Sequence, residues 1–160
     1  MTIEYNPLKT DYKWMIDQQR MQQVLLNLLM NACKFQKYSK LVVATEIVAS
    51  ERYGANKNNK MLQVTVTDQG IGIDQKDVEN LFTPFFKSSS NQSRKHNPKS
   101  NGLGLSICKR ICQALNGDIW VESTSKEGTV FVFTMEVFQT YLPLEDDLAA
   151  IELEPAPVLQ

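Results

Sequence analysis

Asn27, Asn31 and Lys34 fall at helical spacing in the run Asn27-Leu-Leu-Met-Asn31-Ala-Cys-Lys34, so their side chains share one helix face. A carboxamide oxygen at Asn31 can ligate a hard cation without adding charge, and Lys34, one turn on, can meet a phosphate. The same residues also suit an amphipathic helix with two solvated asparagines and a surface lysine. Further along, Asp68-Gln-Gly70-Ile-Gly72-Ile73 sets a carboxylate beside two glycines, where backbone can approach a planar ligand closely. Asp68 could accept the exocyclic amine of adenine and would not suit guanine, which carries a carbonyl there. By itself that segment also reads as an Asp-Gly turn closing a hairpin. A third group, Asn101-Gly102-Leu103-Gly104-Leu105, stands just before a helical run, where glycine amides and the positive helix end can meet an anion.

Positioning these groups requires particular elements. Met21, Val24, Leu25, Leu28, Leu29 and Ala32 recur at three- and four-residue steps, which predicts a helix over 17–35 with Asn27, Asn31 and Lys34 beside its apolar stripe. Alternation over 62–67 predicts a strand delivering Asp68 to its end. A short helix follows over 75–81, with Asp74 as its N-cap. Leu105, Ile107, Cys108, Ile111, Cys112 and Leu115 give a helix over 106–115 a buried face, and Gly117 suits its C-terminal end. Further strands are expected near 3–5, over 40–49, and as a final pair, 118–123 and 129–137, hinged near Glu127-Gly128. The polar segment 51–60 reads as a long hairpin loop. The expected class is α+β: a two-layer α/β sandwich whose mixed, mainly antiparallel sheet carries helices on one face.

In this order, the blocks resemble the catalytic and ATP-binding domain of the sensor histidine kinases, a Bergerat ATP-binding fold shared with gyrase, mismatch-repair and heat-shock-chaperone ATPases. The resemblance spans roughly residues 3–138. It implies ATP and Mg2+ as ligands, with Asn31 the magnesium ligand, Lys34 a phosphate contact and Phe35 an aromatic near the nucleotide. Asp68, Gly70, Gly72 and Ile73 match the first glycine box, with Asp68 as adenine reader. Leu81-Phe82-Thr-Pro-Phe85-Phe86-Lys87 resembles the phenylalanine box, implying a nucleotide role for Phe82 and a phosphate role for Lys87. Asn101, Gly102, Leu103, Gly104 and Leu105 match the second glycine box, and Gly128-Thr129 the last glycine motif. Two departures stand out: Ser100 where the family usually has a further glycine, and Lys87 in place of a more frequent arginine, whose bidentate contact a lysine cannot reproduce.

Asn27 bears on the reaction. In the hydrolytic relatives the residue four before the magnesium-binding asparagine is a glutamate general base, whereas Asn27 cannot take a proton near neutral pH. The resemblance therefore implies transfer of the γ-phosphoryl group to a histidine rather than hydrolysis, because a neutral imidazole already offers a lone pair. The sole histidine, His96, lies in the polar stretch 88–99, which matches the family's ATP lid, about 87–101, with Arg94, Lys95 and Lys99 able to screen a triphosphate. The acceptor is thus expected on a separate dimerisation domain, in the same parent chain or in trans, with a response-regulator receiver domain acting downstream. Ser100 and Asn27 also admit a degenerate nucleotide-binding or docking module without transfer.

With 160 residues, 42% of them hydrophobic, the chain can bury one substantial core over 1–138. A net charge of −1 points to no nucleic-acid or membrane affinity. No apolar run has the length of a membrane span, so a cytoplasmic domain is expected, whether or not its parent is membrane-anchored, and this piece is expected to be monomeric. Cys33, Cys108 and Cys112 sit on apolar helix faces and read as buried thiols. Residues 139–160 are acidic and proline-flanked; they read as a linker or tail, such as would join a receiver domain in a hybrid kinase, or as a segment whose Leu148, Ile151 and Leu153 pack on a partner.

Overall fold

A computed structural model of the chain describes residues 2–10, 12–49, 60–88 and 101–140. The elements are β1 (Thr2–Asn6), β2 (Lys13–Met15), α1 (Gln18–Phe35), β3 (Gln36–Ala49), β4 (Lys60–Gly70), α2 (Gln75–Val78), α3 (Gly104–Ala114), β5 (Ile119–Ser125) and β6 (Gly128–Thr140). The sheet runs β1-β3-β4-β6-β2, with β5 also pairing β6. Only β1 on β3 is parallel among these pairings, so the sheet is mixed and mainly antiparallel, as expected. Residues 89–100 of the expected lid, with His96, Ser100 and the lid cations, lie outside the described residues, as do loop residues 51–59 and the tail from 141.

Alternation on β3, β4 and β6 turns Leu41 and Val43, Val64 and Val66, and Phe131, Phe133 and Met135 to one face. There they meet Val24, Leu28 and Ala32 of α1 and Cys108 and Cys112 of α3 in a single core. The Asp17 carboxylate caps α1 by accepting the Arg20 amide at 3.0 Å. Burying Val24 and Leu28 stabilises by roughly 1.5–3 kcal/mol each, more than the ~1 kcal/mol of the cap, so packing sets the rotation of α1 about its axis. That rotation leaves Asn27 and Asn31 half-buried at the margin of the core.

Several local readings are corrected. β3 begins at Gln36, directly after α1, because the Phe35 carbonyl accepts the Ile71 amide at 3.0 Å and draws the helix end onto the glycine turn. β2 was not expected; three residues are too few to show alternation, and its pairing with the end of β6 is wholly long-range. Asp74 is extended, but its side chain makes no capping bond and meets Lys76 at 3.2 Å instead. At the end of α3 it is Asn116, with φ of 56°, that takes the left-handed position, while the Gly117 amide reaches back to the Cys112 carbonyl at 2.8 Å. Gly117 is required for a different reason: any Cβ there would collide with the Thr134 carbonyl. Cys108 and Cys112 are buried as expected, and desolvation pushes both thiols up to about 12; Cys33 is exposed.

Candidate nucleotide site

The second half of α1, the end of β4, the strap after α2, the entry to α3 and the start of β6 enclose a cleft of about 770 Å³. Of the residues singled out in the sequence, Asn27, Asn31, Lys34, Phe35, Asp68, Gly72, Ile73, Lys87, Asn101, Gly102, Leu103, Gly104, Leu105 and Thr129 all line it. Gly70 and Phe82 do not. Gly70 is buried behind Asp68, where an added Cβ would lie 2.7 Å from the Phe35 carbonyl oxygen. Phe82 packs on the core with the Lys109 ammonium 5.6 Å from its ring centroid. Ala32, Leu81, Phe86, Ser88 and Phe131 complete the wall without having been singled out. Leu81 and Phe86 stood in the phenylalanine-rich block, and Phe131 follows Thr129 on the same strand face, so period-two alternation could have found it.

Asn27 and Asn31 form a directed pair. The Asn31 amide nitrogen donates to Asn27 Oδ1 at 3.2 Å, and the described hydrogen bonds leave the Asn31 oxygen, an acceptor, without a protein donor. Asn27 in turn lies against the entry to α3: a Cβ on Gly104 would come 2.6 Å from Asn27 Nδ2. A side chain at position 104 would therefore displace the Asn27 carboxamide from this place. Beyond it, α3 has no side-chain cap and no acidic residue in its first turn. Its leading amides and dipole accordingly favour an anion there.

At the other wall, Asp68 Oδ1 accepts the Gly70 amide at 2.8 Å and the Thr129 amide at 3.2 Å. The described hydrogen bonds leave Oδ2 without a protein donor. Thr129 Oγ1 meets Thr124 Oγ1 at 3.3 Å, and Thr124 Oγ1 also accepts the Ile73 amide at 2.8 Å. The closing β5–β6 hairpin thus holds both the carboxylate and the glycine turn. Gly72, with φ of 73°, lies where a Cβ would strike the Ser125 carbonyl. Burial pushes the Asp68 carboxyl above the ordinary 3.8, against the smaller opposing pull of the two amides.

The sign of the resulting pH effect follows. A raised carboxyl pKa in the folded protein penalises ionisation, so stability declines as pH rises from 3.8 through the raised value and is level above it. A ligand that needs the ionised acceptor shows the opposite trend. Affinity for an adenine nucleotide is expected to rise with pH through that same raised value, and titrating affinity against pH checks this; an acid limb at or below 3.8 would contradict it.

The cleft also suits magnesium. Such an ion takes one or two protein oxygens and completes its shell with phosphates and water, and the Asn31 amide oxygen, in a cleft that Lys34 and Lys87 also line, is a neutral ligand atom of that kind. Among the described residues no cluster of three His, Cys, Asp or Glu exists that could hold a metal by protein alone, and no helix is long and apolar enough to cross a membrane.

Residues 16–139 match the family model described as histidine kinase-, DNA gyrase B-, and HSP90-like ATPase. The chain is 36% identical over 132 residues to the autoinducer 2 sensor kinase/phosphatase LuxQ of Vibrio harveyi, covering 82% of this chain and 15% of that protein. It is 38% identical over 120 residues to the sensor histidine kinase WalK of Bacillus subtilis, covering 75% of this chain and 18% of that one. The chain therefore corresponds to a small part of these relatives. Among solved structures, the catalytic domain of histidine kinase ThkA superposes with a TM-score of 0.59 at 29% identity, over 84% of this chain and 80% of that one. Full-length ShkA in complex with AMPPNP superposes with a TM-score of 0.65 at 23% identity, over 89% of this chain and 27% of that one, a likeness of fold.

Proposed function

Because the chain belongs to the family of histidine kinase-, DNA gyrase B- and HSP90-like ATPases, we propose that its cleft binds Mg-ATP and passes the γ-phosphoryl group to a histidine on a separate phosphoacceptor domain. The observation that carries this reading is the directed pair of amides. Asn27 holds the amide nitrogen of Asn31, which leaves the neutral Asn31 oxygen for a ligand in a cleft that Lys34 and the uncapped start of α3 also line. In this reading Asp68 Oδ2 accepts the adenine amine, Lys34 and Lys87 meet phosphate, and the amides of Gly102 to Leu105 lie behind them. Asn31 would hold magnesium, which when bound neutralises phosphate charge. Catalysis then rests on positioning and charge neutralisation.

Hydrolysis is disfavoured by the same geometry. Asp68 is the sole carboxylate among the described residues lining the cleft, and two backbone amides already hold its Oδ1. Asn27, where a glutamate base would stand, is spent as an acceptor for Asn31 and cannot take a proton near neutral pH. Bound ATP therefore waits for a better nucleophile.

Incubation with γ-labelled ATP and a supplied dimerisation and phosphoacceptor domain tests the proposal. Acid-labile phosphohistidine is expected on the acceptor, with phosphate release by this chain alone near background. Binding of ATP without any labelled acceptor would instead make the chain a docking or nucleotide-binding module.

A further inference from the structure

We infer that Asp77 is a positioning residue for the phosphate side of the cleft, acting through Ser88 on Lys87. This rests on the reading of the cleft as an Mg-ATP site. Asp77 is 5% exposed, although α2 is a single turn on the surface and its neighbours Lys76, Glu79 and Asn80 are exposed. A carboxylate withdrawn from water needs hydrogen-bond donors, and Asp77 Oδ2 receives one from the Ser88 hydroxyl. The backbone of Asp77 is held as well: its amide donates to the Asp74 carbonyl at 2.8 Å and its carbonyl accepts the Asn80 amide at 3.2 Å.

Ser88 and Lys87 both line the cleft, whereas Asp77 does not. The strap that carries them is tied at its other end, where the Phe85 amide donates to the Gly102 carbonyl at 2.9 Å. Phe85, with φ of 63°, turns the strap at that point, and a Cβ on Gly102 would lie 2.6 Å from the Phe86 carbonyl oxygen. Residues 85–88 are thus pinned on one side to the glycine entry of α3 and on the other to α2. Lys87 lies between the two pins. A lysine ammonium is a point charge on a flexible stem, so the backbone beneath it decides where that charge can be delivered. Asp77 sets this backbone, and Lys87 delivers its charge to the terminal phosphate.

Titration calorimetry on the full chain with Mg-AMPPNP and with Mg-ADP tests this. Asp77→Ala and Ser88→Ala are each expected to weaken AMPPNP binding ~10-fold, the size of one charge-assisted hydrogen bond, with ADP binding changed less than ~3-fold. Asp77→Asn recovers most of the loss, because its amide oxygen accepts the same hydroxyl. Adding Asp77→Ala to Lys87→Ala causes no further loss of AMPPNP affinity. Equal losses for both nucleotides, or losses that add to that of Lys87→Ala, would overturn the inference and leave Asp77 as a buried structural group. Should Asp77→Ala fail to fold, Ser88→Ala and its cycle with Lys87→Ala distinguish the same two outcomes. A wild-type chain that binds neither nucleotide defeats the reading of the cleft itself, and this inference with it.

Discussion

Asp68→Ala is expected to lower affinity for ATP by ~10–100-fold, the range of one hydrogen bond to a charged acceptor. The same change strands the Gly70 and Thr129 amides that Oδ1 now receives, so a loss of stability on the order of 1–3 kcal/mol should accompany it. Asp68→Asn separates the two effects. An asparagine can keep its Oδ1 on both amides while presenting Nδ2, a donor, where the carboxylate presented an acceptor. Its thermal midpoint should therefore stay near that of wild type while ATP binding is lost, and GTP, whose guanine offers a carbonyl at the matching position, should bind better than ATP. Competition between the two nucleotides reads this directly. Wild-type preference for ATP in Asp68→Asn would remove Asp68 from the role of adenine reader.

The second large effect belongs to Asn31. Replacing it with alanine removes the amide oxygen assigned to the metal, and the increment in ATP affinity brought by magnesium is expected to fall by ~100-fold. Affinity measured in chelator should hardly change, because Asp68, the closing hairpin and the α3 amides are untouched. Asn27→Ala should give a smaller loss of the magnesium increment, since it frees the Asn31 amide to rotate without deleting it. Unchanged Mg-ATP affinity in Asn31→Ala would take away its assigned role. An equal loss with and without magnesium would show that the pair acts by packing α1 against Gly104.

Much of the scaffold is legible along the chain because it depends on local periodicity. The three- and four-residue steps from Val24 to Ala32 give α1 and its buried face, and alternation gives β4 and β6. Fourteen of the singled-out site residues line one cleft. The departures have physical causes of another sort. Gly70 and Phe82 carry the right residue types but serve the backbone and core behind the wall. β2, the early start of β3 and the exposure of Cys33 depend on which distant strand or helix covers the segment, and hydrophobicity at one position does not encode that.

By itself the sequence determined which chemistry was available: amides and a lysine on one helix face, a carboxylate beside glycines, and a helix entered through glycines, all properties of residue type and short spacing. Only the tertiary structure decided which atoms of these groups remain to meet a ligand. Asn27 is committed to Asn31 and pressed against Gly104, and Asp68 is divided into one oxygen held by Gly70 and Thr129 and one that is not. The reason is that a polar atom's availability depends on what its other partners already use, and here those partners come from α3 and β6, brought to the site by packing on a common core.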